Sequence, residues 1–294
     1  MKKSIFSIII ILSFSFCFHS CEIINPAEEI PSYIKVDTFL FTNNPNILEQ
    51  GGLSSQITDV WVYVDNQSVG AYELPACFPV LHSGEHEILF LPGIKISGIS
   101  NARGAYPFYT SARFNTTLYP DSIIDLTSKA VTKYHDEVIF SFIEDFEDAG
   151  IVFEKGPNSD TSIYRTSEVG DVFEGSYSGI IELDNDRPNA LLTTSTAYAL
   201  PKGYKPVFME LNYKTNHEFI VGLYANSYTN IISQDILVIN KTDKWKKIYV
   251  NLTQTVSRYA TANDYTLYLR AVKLDEIAEP KILVDNVKVL YTSN

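Results

Sequence analysis

Cysteine is nearly absent from this 294-residue chain: Cys17, Cys21 and Cys77 are the three, and only Cys77 lies beyond position 21. A single cysteine in the body cannot close an internal disulfide, so the fold must be held by its core. Basic residues are also short. Lys and Arg number 23 against 35 Asp and Glu, which leaves a formal charge of −12 and no Lys/Arg stripe. Contact with phosphates needs such a stripe, which argues against nucleic acid as a partner. Past the N-terminal segment there is no apolar run of the roughly 20 residues that a membrane-spanning helix needs. Helical periodicity is missing too, apart from one short helix expected at Thr253 to Arg258. No Gly-x-Ser-x-Gly elbow, phosphate-cradling glycine loop or His-Glu-x-x-His occurs. The chain therefore reads as a protein without catalysis, with a hydrolase of divergent site as the last alternative.

What is present begins at the N-terminus. Lys2 and Lys3 precede an apolar run from Ile5 to Phe16, the layout of an export signal. Phe18-His19-Ser20-Cys21 follows, and this small residue directly before a cysteine resembles the bacterial lipobox. The resemblance implies a signal peptide at 1–20, acylation of Cys21, and a lipid-anchored protein of the cell envelope at the outer membrane, with the leaflet left open. Residues 21–31, with Pro26, Glu28, Glu29 and Pro31, read as a short acidic tether.

From Tyr33 onward the pattern is β. Val60, Val62 and Val64 alternate with Trp61 and Tyr63, and Asp65-Asn66-Gln67 carries turn chemistry. The run Trp61-Val62-Tyr63-Val64-Asp65, with Gly70, Leu74-Pro75 and Gly84-Glu85-His86-Glu87-Ile88, resembles PEGA-type β-domains over residues 57–92. Alternating segments resume at Val138 and recur at 180–183, 207–213, 219–225, 246–252, 267–271 and 282–290. Phe146-Glu147-Asp148, Tyr177-Ser178-Gly179, Trp245-Lys246-Lys247 and Leu283-Val284-Asp285-Asn286-Val287 are similar to galactose-binding-like jelly rolls, which include carbohydrate-binding modules. The order of parts resembles surface lipoproteins of Bacteroidota. The expectation is an all-β chain: a small N-terminal β-sandwich at 32–127 and an antiparallel jelly-roll sandwich at 135–294, with the polar stretch 120–136 as an exposed boundary.

Candidate sites follow from these patterns. Cys77, between Ala76 and Phe78, reads as a buried structural thiol. His82-Ser83-Gly84-Glu85-His86-Glu87 reads as a solvated hairpin tip, because Gly84 breaks any helical pairing of the imidazoles. The jelly-roll resemblance implies one structural calcium, and no other cofactor, held by Glu147 and Asp285. Tyr224, Tyr228, Tyr259 and Tyr265 are candidate sugar-binding platforms at the ends of strands. Trp245 reads as a core residue before a strand, and Tyr106-Pro107-Phe108-Tyr109 as an aromatic packing knot. Binding or assembly within an envelope protein complex is the leading function, with glycan binding by the jelly roll as the alternative. If Cys21 carries the lipid, Cys21→Ala will move the mature chain out of the membrane fraction or block its processing. Unchanged lipid labelling of that variant would transfer the assignment to Cys17.

Overall fold

Alternation of β-branched residues along a half-buried ribbon builds the first sandwich. The computed structural model describes residues 28–293, so Cys21 and the signal lie outside the described residues. The strands are β1 (Ser32–Val36), β2 (Leu40–Phe41), β3 (Asp59–Val64), β4 (Gln67–Glu73), β5 (Ala76–Val80), β6 (Gly84–Lys95), β7 (Arg103–Ala105), β8 (Ala112–Leu118), β9 (Ile123–Asp125) and β10 (Val131–Thr132). One sheet runs β4-β3-β6, with β7 and β8 both paired to β6; the other runs β5-β1-β9. Val60, Val62 and Val64 turn inward and pack with Ile88 and Phe90 against Ile34, Val36 and Phe78. The turn between β3 and β4 places Asp65 at φ 47° and Asn66 at φ 63°. Two consecutive left-handed residues make the tight hairpin whose twist matches its strands, and Asp and Asn tolerate that conformation.

The second sandwich contains β11 (Val138–Glu144), β12 (Phe153–Lys155), β13 (Tyr164–Thr166), β14 (Ser178–Glu182), β15 (Asn189–Thr194), β16 (Val207–Thr215), β17 (Phe219–Asn226), β18 (Ile231–Ile239), β19 (Thr242–Asn251), β20 (Asp264–Val272) and β21 (Lys281–Thr292), with one helix, α1 (Thr253–Arg258). A six-stranded sheet runs β13-β14-β21-β16-β19, with β11 also paired to β21, and a five-stranded sheet runs β12-β15-β20-β17-β18. The chain crosses repeatedly from one sheet to the other, as a jelly roll requires. Leu211, Val250, Val284 and Val289 from one sheet meet Leu192, Val221, Leu223 and Leu269 from the other. The architecture is all-β, a small sandwich followed by an antiparallel jelly-roll sandwich.

The two sandwiches share a third core. Phe41, Ile94, Tyr106, Phe108, Tyr109 and Tyr134 from the first pack on Phe208, Tyr249 and Leu290 of the six-stranded sheet. The knot from Tyr106 to Tyr109 is thus packing, but between sandwiches rather than within one. At its centre Glu210, fully buried, accepts hydrogen bonds from Tyr106 Oη (2.7 Å) and Tyr134 Oη (2.8 Å) and pairs with Lys247 Nζ at 2.6 Å. Beside it, loop 43–58 lies over the same sheet face. Lys288 Nζ donates to Gly52 O at 2.8 Å and to Gln50 O, and Ser54 Oγ donates to Asn212 Oδ1 at 2.7 Å. Gly52 N donates to Asn286 Oδ1 at 2.8 Å, and a Cβ on Gly52 would fall 1.6 Å from Glu174 Oε1, so any other residue here would displace the Glu174 and Asn286 side chains.

The stretch 120–136 is correspondingly not an exposed linker. β9 pairs in parallel with β1, β10 pairs with β2, and Ala130 and Tyr134 are fully buried. Cys77 also corrects its expectation. Ala76 and Phe78 do point inward, but neighbours in a strand face opposite ways, so Cys77 between them is exposed.

Burial pushes the Glu210 carboxyl up, but Lys247 and Lys288 outweigh it and hold the group below the ordinary carboxylate range. Removing one member of such a pair leaves the other charge buried and alone. Glu210→Ala should therefore cost about 3–5 kcal/mol in urea unfolding, while Glu210→Leu combined with Lys247→Met should recover only part of that loss, because the buried Tyr106 and Tyr134 hydroxyls still lack their acceptor. Equal stability of Glu210→Ala and the wild type would show that the pair does not hold the interface.

Candidate functional site

The first sandwich covers the middle of the six-stranded sheet, and the five-stranded partner keeps its outer face clear of that interface. Strand register fixes what that face presents. Thr193, Tyr268, Gly222 and Asp235 form one row across β15, β20, β17 and β18, because Tyr268 is paired with both Thr193 and Gly222, and Gly222 with Asp235. The next rows are Thr266, Tyr224 and Ser233 on one side, and Arg270, Ile220 and Val238 on the other. Their neighbours along the strands, Leu267, Leu269, Val221 and Leu223, are core residues. A bulge between Val221 and Gly222 brings Asp235 into this line.

Gly222 is central to the geometry. A Cβ there would lie 2.2 Å from the Tyr268 ring, so the missing side chain lets Tyr268 lie flat across β17. Tyr268 Oη then donates to Asp235 Oδ1 at 2.6 Å, and Ser233 Oγ lies 3.2 Å from Tyr268 Oη. Arg270 Nη2 pairs with the second oxygen of Asp235. The Tyr224 ring packs on Tyr268 with centroids 5.0 Å apart and planes at 48°. Burial, with the Asp235 carboxylate beside it, raises the Tyr268 phenol well above its usual range, so this hydroxyl stays a donor. One row further, Asn226 Nδ2 donates to Asp264 Oδ1 (2.8 Å) and Thr266 Oγ1 (3.0 Å). Tyr268 is itself buried, 1% exposed, and acts as the support of the strip; what reaches solvent is the half-buried Tyr224 ring flanked by the Asp235 carboxylate, the Arg270 guanidinium and the Asn226 amide.

The candidate tyrosines divide. Tyr224 belongs to this strip. Tyr228 is 96% exposed on the loop joining β17 and β18, closed by Ser227 N donating to Asn230 O at 2.8 Å. Tyr259 caps α1 on the core side and donates to Gln234 Oε1 at 2.9 Å. Tyr265 is a correction: it is fully buried and its hydroxyl donates to the carbonyls of Val256 and Tyr259, each at 3.0 Å, which leaves nothing for a ligand. Trp245 is also corrected. It lies within β19, half-buried against Phe173 at 5.3 Å, not before the strand in the core.

Glu147 and Asp285 both bind the segment 176–178. Glu147 Oε1 accepts from Ser176 N (2.7 Å) and Tyr177 N (2.9 Å), while Asp285 accepts from Ser178 Oγ (2.5 Å) and Asn286 N (2.7 Å). Each carboxylate therefore fastens the same loop from a different side. Glu144 does likewise, accepting from Phe146 N at 2.8 Å and from Val152 N. The acidic run is a set of loop fasteners, and among the described residues no three His, Cys, Asp or Glu side chains gather. His82 and His86 have rings 5.0 Å apart, and the nitrogens of His86 contact Asp65 Oδ2 (2.7 Å) and Ser83 O (3.0 Å) at the hairpin tip. A cleft of about 540 Å³ opens at the end of the six-stranded sheet beside Lys214, Lys241 and Lys281. Two of these lysines are engaged, Lys281 by Asp171 at 2.6 Å and Lys214 by Gly170 O at 2.7 Å.

Asp235, Arg270, Tyr268 and Gly222 escaped the sequence reading. The signal for two of them was there: Tyr268 and Arg270, like Thr266, alternate with Leu267 and Leu269, which places them on the face opposite the core.

No family model matches this chain, and no curated protein matches it in sequence. Solved structures do align with it. They include the C-terminal family 22 carbohydrate-binding module of Clostridium thermocellum Xyn10B, at 12% identity over 52% of this chain and 94% of that one, with a TM-score of 0.38. The CBM22-2 xylan-binding domain of Paenibacillus barcinonensis Xyn10C aligns at 16% identity over 51% and 99%, with a TM-score of 0.39. The family 30 carbohydrate-binding module of the Clostridium thermocellum cellulase Cel9D-Cel44B aligns at 11% identity over 53% and 99%, with a TM-score of 0.36. The sandwich described above is defined by its own strand pairing.

Asp285 gives this region a pH signature. Burial raises its carboxyl to about 7, so the folded state keeps a proton that the unfolded chain releases near pH 4. Stability from this group is complete below about pH 4 and is lost as pH rises towards 7, with a slope of up to roughly 1.4 kcal/mol per pH unit. Asp285→Asn should flatten the decline between pH 4 and 7 in urea unfolding. An unchanged slope would place the proton elsewhere.

Proposed function

We propose that this protein is a lipid-anchored glycan-binding protein of the cell envelope, without catalysis, and that it binds through the outward face of the five-stranded sheet. The observation that carries this reading is the strip Tyr224–Tyr268–Asp235–Arg270 on the sheet face that the first sandwich leaves free. A sugar ring has an apolar C–H face and a rim of hydroxyls. Tyr224 offers a surface for the first, and Asp235, Arg270, Asn226 and Ser233 offer acceptors and donors for the second. The side chains are positioned before any ligand arrives, which lowers the ordering cost of binding. The sequence ranked assembly in a protein complex ahead of glycan binding; this face reverses the order. The anchor rests on Ser20-Cys21, as argued from the sequence.

Affinity electrophoresis through gels containing neutral polysaccharides tests the proposal. Tyr224→Ala and Arg270→Ala should each weaken retardation about tenfold, corresponding to about 1.4 kcal/mol. Tyr164→Ala, exposed on the opposite sheet, should leave it unchanged. Retardation by no polysaccharide in the panel, or equal loss in all three variants, would remove glycan binding from this face.

A further inference from the structure

Three chain segments meet at the end of the first sandwich that lies away from the second. Ser32 Oγ donates to His82 O, Asp121 N donates to Pro31 O, and Tyr33 N donates to Ser122 O, each at 2.9 Å. Around this junction Ile30, Leu81, Tyr119 and Ile123 are each between 58% and 66% exposed. Ile30, Leu81 and Pro120 border one shallow hollow of about 440 Å³. Single exposed apolar residues need no explanation, but several together mark a contact surface.

The position of this patch says what covers it. The chain enters the fold there, and only six residues, 22–27, lie between Cys21, the proposed lipid site, and Glu28, a span of seven Cα–Cα steps. Fully extended they reach about 25 Å, and as a flexible coil about 15 Å. The opposite end of the same sandwich is the interface with the jelly roll. β6 connects the two: it starts at Gly84, beside Leu81 to Ser83, and ends at Lys95, next to Ile96, which bridges to Tyr249. Its 12 residues span roughly 40 Å.

We infer that the patch of Ile30, Leu81, Tyr119 and Ile123 is a membrane seat, and that the first sandwich is a stalk holding the jelly roll roughly 40 Å from the lipid. This inference rests on the proposed lipid anchor at Cys21. The anchor supplies most of the affinity; the seat fixes which end points down, since a short tether keeps the patch close to the interface at high effective concentration. Exposed Glu28, Glu29 and Asp121 rim the patch. The surface it fits is accordingly zwitterionic, because an anionic one would repel these carboxylates.

The test uses residues 21–294 with Cys77→Ser and a maleimide phospholipid coupled to Cys21, bound to phosphatidylcholine vesicles. Hydrogen–deuterium exchange is compared with the same chain carrying a soluble maleimide. Exchange should slow severalfold in peptides covering 28–34, 79–84 and 117–124, and remain unchanged in the jelly roll. Leu81→Glu with Ile123→Glu should abolish that protection while the chain stays on the vesicle, and phosphatidylglycerol should weaken it. No protection, or protection centred on the jelly roll, would overturn the seat. Because the lipid is attached chemically, these outcomes do not depend on acylation in the cell, which fractionation of Cys21→Ala decides separately.

Discussion

Glu210 is a charge with no route to water, and the arrangement of the whole molecule follows from how it is satisfied. Its carboxylate takes two phenol donors from the first sandwich and one ammonium from its own sheet. In a low-dielectric setting a partly satisfied carboxylate would cost several kcal/mol, so the two tyrosines are as necessary as the lysine. Tyr106 and Tyr134 can reach it only if the first sandwich sits on the six-stranded sheet. The polar interaction thereby specifies one docking geometry that the surrounding aromatic contacts, being non-directional, would not specify alone.

That docking determines which surface is available for function. With Phe208, Glu210, Asn212, Lys247, Tyr249 and Lys288 all covered, the β16–β19–β21 part of the six-stranded sheet's outer face is an internal layer, while the β13 edge with Tyr164 stays exposed. The five-stranded sheet keeps the outward strip of Tyr224, Asp235 and Arg270, supported by buried Gly222 and Tyr268. The long β6 then places the chain's point of entry at the far end of the first sandwich. A single interface thus orders the described residues along one line: the point of chain entry, the first sandwich, the shared core, and a sheet bearing Tyr224, Asp235 and Arg270 on its outer side.

Much of the fold was legible in the sequence because alternation is a local signal. Val60, Val62 and Val64 and the strands at 207–213, 219–225 and 282–290 could be read directly. β18, with its run Ile231-Ile232-Ser233-Gln234-Asp235, could not, because the bulge opposite Val221 and Gly222 breaks its period. The polar face of β16 was equally misleading. Glu210 and Asn212 alternate with Met209 and Leu211 as a solvated face would, and only the distant loop 43–58 and the 106–109 knot reveal that they are buried. For the candidate site, Tyr224 was legible from its place at a strand end, whereas Tyr265, equally near one, turned inward. Asp235 and Arg270 meet across a sheet at a separation of 35 residues, a register that no local pattern encodes. Glu147 and Asp285 came from the jelly-roll resemblance, and no local pattern told that their carboxylates bond the 176–178 segment and the Asn286 backbone N–H.

Differential scanning calorimetry of residues 28–294 tests the central claim most directly. A shared core sealed by Glu210 predicts that the two sandwiches unfold as one unit, with a single transition whose calorimetric and van't Hoff enthalpies agree. Two resolved transitions, each with the enthalpy of one sandwich, would contradict it and show that the six-stranded face is free to open.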